Sequence, residues 1–312
     1  MSTIAKKIVI AGGSGFLGQS LSKAFVLDGS DVIILTRKQD DSIALKGRSV
    51  IWDAKSFGSW SDELNGADVL INLTGKSIDC RHTPKNKKEI LYSRIQSTRV
   101  LGKACSIVKN PPRIWLNAST ATVYEDLRGN MPPNDEFSDY NARGFSEDVG
   151  REWENTFFES YNDGIRKVAL RISIVLGKNG GAFPVMCRFV KLGLGGKQGP
   201  GTQWVSWLHI DDWVSIVKYI ILNDVLTGPI NLAAPNPTTN STLMNELRSH
   251  YAPFNFGFPT PSWAVKLGSF LIGTAPDLVL KSRKLVSKVL SDAGYKFTHD
   301  RISSAIRDLA SN

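Results

Sequence analysis

The stretch IVIAGGSGFLGQSLSKAFVLDG, residues 8–29, joins two periodicities at one cluster of glycines. Ile8, Val9 and Ile10 form a continuous β-branched run, the pattern of a strand covered on both faces in a parallel sheet. Beyond the glycines the spacing becomes helical: Leu17, Leu21, Ala24 and Phe25 share a face, and Gly29 ends it. Gly13, Gly15 and Gly18 satisfy G-x-G-x-x-G, and Gly12, Gly15 and Gly18 satisfy G-x-x-G-x-x-G. A strand, a glycine turn and a helix in that order are the context the pattern needs. The glycines let the backbone turn tightly and approach a pyrophosphate, whose charge rests on the helix N-terminus. Gly12, Gly13, Ser14, Gly15, Phe16, Leu17 and Gly18 are therefore expected to cradle a dinucleotide.

Further strands read from DVIILTR, SVIWD, ADVLINLTG, RIWLNAST and KVALRISIVLG. Between them PKNKKEILYSRIQSTRVLGKACSIVKN predicts a long helix with Leu91, Ile95, Leu101, Cys105 and Val108 on one side. GFSEDVGREWENTF predicts another, with Phe145, Val149, Trp153 and Phe157 four apart. Apolar strands alternating with helices mean an α/β, Rossmann-type doubly wound parallel sheet. After residue 177 glycine-rich loops interrupt short helices, and beyond NLAAPNP the chain reads as mostly helical. The expected division is a nucleotide-binding domain of residues 1–176 rejoined by about 202–233. A smaller substrate lobe takes about 177–201 and 234–312.

The composition, 42% hydrophobic and 21% charged over 312 residues, is that of an ordinary globular protein with a sizeable core. Cys80, Cys105 and Cys187 are widely separated and odd in number, which argues against a disulfide framework and for a reducing compartment. His82, His209, His250 and His299 are equally scattered, so no metal site is expected. MSTIAKK is too short and polar for a signal peptide. WAVKLGSFLIGTAPDLVL is interrupted by Lys266, Pro276 and Asp277, so neither a membrane span nor a membrane partner is expected, and the cytoplasm is the expected location. The net charge of +9 is spread along the chain apart from PKNKKE, with no nucleic-acid-binding motif. It suits a solvated surface or a polyanionic small molecule, not nucleic acid.

Cofactor choice is read about twenty residues past the glycines, where a free ribose 2′-hydroxyl calls for an acid. Here stand Thr36, Arg37 and Lys38. Two cations suit a 2′-phosphate, with arginine able to bind it bidentately, so NADP(H) is expected over NAD(H). Asp53, closing the third strand, either faces the adenine or is a plain turn acid.

GGSGFLG, INLTG (71–75) and NASTATVY (117–124), in that order, resemble the extended short-chain dehydrogenase/reductases, which include sugar-nucleotide epimerases and dehydratases. TGKSI, YSRIQSTR, REWE, RISIVLGKNGGA, GLGGKQGPGTQWVSWLHIDD and LVSKVLSDAGYKF resemble, more narrowly, an atypical epimerase-like branch of family-39U type, over essentially the whole chain. The superfamily's Tyr-x-x-x-Lys pair moves a proton on the substrate oxygen while the nicotinamide exchanges hydride. Aligning Glu154 of REWE with the acid that follows that lysine puts Ser146 at the tyrosine and Gly150 at the lysine. Both catalytic groups are missing, and Gly150 would leave room for a cofactor or a bulky substrate.

The resemblance implies that Leu73, Thr74, Gly75 and Arg81 face the cofactor. It places a hydroxyl that bonds the substrate oxygen at Ser119 or at Thr120, and Tyr124 is the nearest phenol. Arg94, and with it Arg81, can stabilise a developing alkoxide or hold a substrate carboxylate or phosphate, because a guanidinium stays protonated. Gln203, Trp207 and His209 line up with a segment bordering the substrate cleft. The expected function is an NADP(H)-dependent oxidoreductase or epimerase-like enzyme for a small polar or sugar-type molecule. The alternative is a non-catalytic NADP(H)-binding protein. The superfamily would imply a homodimer.

Overall fold

The glycine turn separates two elements, as its periodicities require, in a computed structural model that describes residues 6–38, 46–140, 142–160 and 164–311. Strand β1 (Lys7–Ala11) precedes the turn and helix α1 (Phe16–Leu27) follows it. Next come β2 (Asp31–Thr36), β3 (Arg48–Ile51), β4 (Val69–Asn72) and α2 (Pro84–Ile107). Thr83 caps α2 by accepting from the Asn86 N–H at 3.2 Å, and Pro84 occupies the first turn, where no amide bond is lost. Then follow β5 (Ile114–Thr120), α3 (Phe145–Glu159), β6 (Arg166–Ile172), β7 (Ile174–Leu176) and α4 (Phe183–Lys191). After β8 (Trp204–Val205) and β9 (Trp207–His209) come α5 (Ile210–Leu222), β10 (Gly228–Leu232) and β11 (Thr238–Thr239). The chain closes with α6 (Asn240–Tyr251), α7 (Ser262–Ile272), α8 (Asp277–Leu280), α9 (Lys288–Asp292) and α10 (Ile302–Ser311).

Seven strands form one sheet in the order β10-β6-β5-β4-β1-β2-β3, and every neighbouring pair is parallel. The order reverses between β1 and β4, and doubly wound folds bind ligands in the crevice beyond the strand ends at such a point. The apolar runs are continuous because alternate residues serve opposite faces. Ile8, Ile10, Ile34 and Ile71 pack with Phe25 of α1 and Trp213 and Ile216 of α5. Val9, Ile33, Leu35 and Leu70 pack with Leu101 and Ala104 of α2 and Phe157 of α3. A third core joins Cys187 of α4, Leu247 of α6 and Ile306 of α10. Among the described residues, no helix is long and apolar enough to cross a membrane.

Two details differ from the sequence reading. On α2 the expected Ile95, Leu101 and Cys105 are buried and Ile90 joins them, while Leu91 and Val108, the residue that ends the helix, are only half-buried. The apolar run expected as one sixth strand is divided at Ser173: β6 stays in the main sheet and β7 pairs with β9. The Ser173 hydroxyl donates to the Leu232 carbonyl at 2.7 Å, which ties the break to the end of β10.

Candidate cofactor and active site

The glycines of the turn have different jobs. Gly12 has φ +77°, and a Cβ there would stand 3.0 Å from the Leu73 carbonyl, so the loops after β1 and β4 touch backbone to backbone. A Cβ on Gly18 would lie 2.5 Å from the Gly13 Cα, which is how α1 packs against the turn. Gly15 differs: its Cβ would meet only the Gly12 oxygen, at 3.5 Å. Its open side stands at the start of α1, which has neither a capping side chain nor an acid in its first turn. That is the bare, positively polarised helix end a pyrophosphate needs. Ser14 is half-buried, and its carbonyl accepts from the Gln19 Nε2 at 2.7 Å. The Phe16 ring lies so close to Gly177 that a Cβ there would be 2.7 Å from it, and the Leu17 carbonyl accepts from Trp213 Nε1 at 3.2 Å. The second glycine loop thus braces the first.

At the end of β2, the Thr36 hydroxyl donates to the Lys38 carbonyl at 2.9 Å, which shapes the turn carrying Arg37 and Lys38. Both cations are exposed, and neither enters an ion pair among the described residues. Asp53 is exposed and accepts from the backbone N–H of Lys55 at 2.8 Å and of Ser56 at 2.7 Å. Those bonds, led by the one from Ser56, hold its carboxyl below the usual range. It shapes its own turn, beside Ala54 at φ +61°.

Across the switch point, Asn72 ends β4. Its amide donates to Asn117 Oδ1 at 2.7 Å and Thr98 Oγ1 at 3.3 Å, and its oxygen accepts from the Thr74 N–H at 3.0 Å. Trp153 Nε1 also donates to Thr98 Oγ1, at 3.0 Å, so β4, β5, α2 and α3 meet in one polar knot. The Thr74 hydroxyl is buried beside it without a partner. Gly75 gives way to Arg94: a Cβ would stand 3.0 Å from the guanidinium carbon. Arg94 donates to the Lys76 and Ile90 carbonyls at 3.0 and 2.9 Å and lies 5.0 Å from the Trp153 ring centroid. No carboxylate pairs with it among the described residues, and burial lowers its guanidinium to about 10. Arg81 sits apart on the surface, donating to the Phe270 carbonyl at 3.0 Å and lying over that residue's ring.

Ser119 and Tyr124 are joined through Glu154, which the sequence reading used only to set the alignment, and Arg171, which it did not single out. Ser119 donates to Glu154 Oε1, and Glu154 takes two further bonds from Arg171, at 2.9 and 2.8 Å. Arg171 also donates to the Tyr124 hydroxyl at 2.7 Å, which donates to Asn231 Oδ1 at 2.9 Å. Arg171 is 1% exposed and Glu154 6%, so a buried bidentate pair lies behind the strand ends. Burial pushes the Tyr124 phenol up to about 12, against the opposing pull of Arg171. Burial opposes the charge on Arg171, yet Glu154 and its hydrogen bonds leave the guanidinium raised overall. The one sequence signal for this pair is an arginine inside the apolar strand KVALRI.

Thr120, one residue on, is half-buried; its hydroxyl shares a hydrogen bond with Thr122 Oγ1 at 3.0 Å and accepts from the Thr122 N–H at 3.2 Å. Its methyl group answers the question posed by Gly150. A Cβ on Gly150 would stand 2.8 Å from Thr120 Cγ2 and 2.7 Å from Val123 Cγ1. The space directly beside Gly150, the position that the resemblance aligns with the lysine, is therefore filled by the side chains of Thr120 and Val123. Ser146, at the tyrosine position, is half-buried and accepts at its carbonyl from Thr122 Oγ1 at 3.3 Å. Its neighbour Glu147 is buried and takes hydrogen bonds from Lys281 at 2.7 Å and Arg283 at 3.4 Å, tying the start of α3 to the C-terminal segment.

Of the three residues matched to the cleft segment, Trp207 lies in the core of α4, α6 and α10, with Nε1 donating to the Asn236 carbonyl at 3.1 Å. Gln203 is buried and donates to the Gln198 and Val279 carbonyls at 2.8 and 3.2 Å. His209 caps α5: its Nδ1 accepts from the Asp211 N–H at 3.1 Å, which leaves the ring proton on Nε2, 3.3 Å from Asp308. Its ring stacks on His299 with centroids 3.9 Å apart and planes 34° apart, and burial, then His299, lowers its pKa. His209, Asp211, His299 and Asp308 place donor atoms within 4.8 Å of one another, a grouping the scattered sequence positions conceal. The α5 cap already occupies His209 Nδ1, which leaves Nε2 as the nitrogen facing Asp308.

The NAD dependent epimerase/dehydratase family profile matches residues 8–233, and that of a domain of unknown function, DUF1731, matches residues 260–309. An epimerase family protein of Staphylococcus aureus is 31% identical over 98% of this chain and 99% of its own. The Arabidopsis thaliana protein called epimerase family protein SDR39U1 homolog, chloroplastic, is 29% identical over 96% of this chain and 85% of its own. The crystal structure of human epimerase family protein SDR39U1 (isoform2) with NADPH superposes with a TM-score of 0.83, at 26% identity, covering 98% of this chain and 99% of that one. The profile match contains the glycine turn, the switch point and the strands on both sides of it, and these relatives align over 96% or more of this chain. The chain belongs to the NAD dependent epimerase/dehydratase family, in the atypical 39U-type branch of the extended short-chain dehydrogenase/reductases.

Proposed function

We propose that this protein is an NADP(H)-dependent oxidoreductase or epimerase-like enzyme acting on a small polar or sugar-type substrate, with Arg94 and Thr120 at its reacting centre. The observation that carries the reading is Arg94, a half-buried cation with no carboxylate partner among the described residues, set between the loop after β4 and Trp153 of α3. A buried unpaired charge costs stability and persists where an anion or developing negative charge meets it. The open side of Gly15 and the bare start of α1 fit a pyrophosphate, and exposed Arg37 and Lys38 fit a 2′-phosphate. The human relative solved with NADPH supports the same cofactor.

When bound, that cofactor exchanges a hydride at its nicotinamide. The Thr120 hydroxyl, at the end of β5, holds a substrate oxygen by a hydrogen bond. Arg94 remains protonated near neutral pH and stabilises negative charge developing on that oxygen, the role of a preorganised electrostatic group. Ser119 and Tyr124 act behind them, fixing β5 through Glu154 and Arg171. In this reading residues 1–176 with 202–233 carry the cofactor, and 177–201 with 234–312 receive the substrate, joined through Glu147, Lys281 and Arg283.

The second reading, NADP(H) binding without chemistry, is favoured by Val123 and Thr120 filling the place of the missing lysine. Deuteride transfer separates the two. Protein loaded with NADPH deuterated at the transferable position is exposed to a small-molecule cell extract, and products are read by mass spectrometry. A labelled metabolite that vanishes with Arg94→Met supports the enzyme. Tight cofactor binding with neither label nor isomerised product supports the binding protein.

A further inference from the structure

Helix α7 is built inside out. Val265 and Ser269, both buried, form its inward face, while Trp263, Leu267, Phe270 and Leu271 are 70%, 53%, 62% and 70% exposed. Those positions fall at i, i+4, i+7 and i+8, one outward stripe of large apolar side chains. The turn before α7 adds Phe254, Phe256 and Phe258, exposed by 101%, 53% and 61%. Backbone hydrogen bonds join this turn to the loop after α4: Phe258 N–H to the Gly193 carbonyl at 2.8 Å, and Thr260 N–H to the Lys197 carbonyl at 2.9 Å. That loop contributes exposed Leu192 and Leu194. Contiguous apolar surface of this kind on a soluble fold marks an interaction face.

Its charge says what the partner is. Residues 177–200 and 247–276 contain no Asp or Glu, whereas Lys197, whose carbonyl bonds the Thr260 N–H, Lys266 of α7 and Arg81, over the Phe270 ring, are exposed. The nearest acids stand at the far end of α7, Asp79 accepting from Thr274 and Asp277 opening α8. We propose that this face adsorbs to an anionic lipid surface, with the α7 stripe and the phenylalanine turn entering the headgroup boundary and the lysines and arginine meeting lipid phosphates. Large aromatic and aliphatic side chains flanked by more cations than acids are the pattern of a helix lying in a membrane interface. A second copy of this chain is disfavoured, because apposing two such faces sets cation against cation. Nucleic acid would use the charge but leave the apolar stripe in water. The expectation of no membrane partner rested on the lack of a span, and adsorption needs none.

The test is cosedimentation of the full chain with vesicles of phosphatidylcholine alone and of phosphatidylcholine mixed with phosphatidylglycerol. The expected result is retention on the mixed vesicles only, weakened by salt, and reduced about tenfold or more by Trp263→Ser with Leu271→Ser. Lys197→Glu with Lys266→Glu should reduce it too, by removing charge and leaving the stripe. NADPH binding of both variants serves as the check on folding. Equal retention of wild type and the Trp263/Leu271 variant, or none on either vesicle, would overturn the proposal. So would concentration-dependent dimers without lipid that the same substitutions abolish, or salt-sensitive retention of DNA or RNA in place of vesicles.

Discussion

Gly150 and Val123 are in direct opposition: a Cβ on the glycine would stand 2.7 Å from the valine Cγ1. Val123 is fully buried, and Thr120 crowds the same point from the other side. Alanine should favour an exposed helix by about 1 kcal/mol over glycine, yet overpacking costs about 1–3 kcal/mol. Gly150→Ala is therefore expected to lower stability in urea denaturation by about 1 kcal/mol, against its propensity. Restoring the pair with Ser146→Tyr and Gly150→Lys should not create superfamily-like turnover, because the lysine cannot enter without moving Val123. A stable, active double variant would show that the strand end yields.

Arg94 makes opposite predictions for activity and stability. Arg94→Met keeps a long stem beside Gly75 and Trp153 but removes the half-buried charge. Turnover should fall by about a hundredfold to a thousandfold, as on losing an electrostatic stabiliser. NADPH affinity should hold, and thermal stability should stay level or rise. Full turnover in this variant would remove Arg94 from the reacting centre.

Arg37 bears on cofactor choice alone. Arg37→Glu should weaken NADPH binding by about 2–3 kcal/mol, since a charge-assisted contact is lost and repulsion added, with little effect on NADH. Titration of each cofactor by fluorescence checks it; an unchanged preference would mean the cations after β2 point away from the 2′-phosphate.

The Glu154–Arg171 pair predicts a large and asymmetric loss. Glu154→Gln leaves Arg171 charged and buried, which should cost about 3–5 kcal/mol. Replacing both by methionine should cost less than the single change, because no unpaired charge remains. Chemical denaturation of the three variants decides whether the pair is structural in this sense.

His209 gives a pH dependence. Its folded pKa lies below the unfolded value, first through burial and then through His299. In the window between the unfolded value, about 6.5, and the lower folded value, the unfolded chain binds more protons, so stability falls as the solution is acidified. His209→Asn keeps a capping side chain for α5 without the titration. The variant should lose less stability than wild type between neutral pH and pH ~5, measured by thermal melts; parallel curves would assign the acid lability elsewhere.

The glycine spacing and the continuous strands carried the fold, because a pyrophosphate-ready turn and two-sided burial are written in local order. The exposed place of Arg37 and Lys38 was legible for the same reason, as they follow a strand end at a fixed distance from the turn. Ser119 and Tyr124 were visible as hydroxyls, but their partners Glu154, Arg171 and Asn231 come from a helix and two other strands. The stacking of His209 on His299, the burial of Trp207 in the helical core and the surface position of Arg81 beside Phe270 were likewise out of reach.

By itself the sequence determined the parallel sheet, its crossover helices and the glycine turn between β1 and α1, all set by near-neighbour spacing along the chain. Only the tertiary structure decided that Gly150 makes room for Val123 and Thr120, that Arg94 is half-buried with no acid paired to it among the described residues, and that α7 turns its apolar side outward. Each of those depends on which distant side chains share a volume of a few ångströms, and packing, not local pattern, settles that.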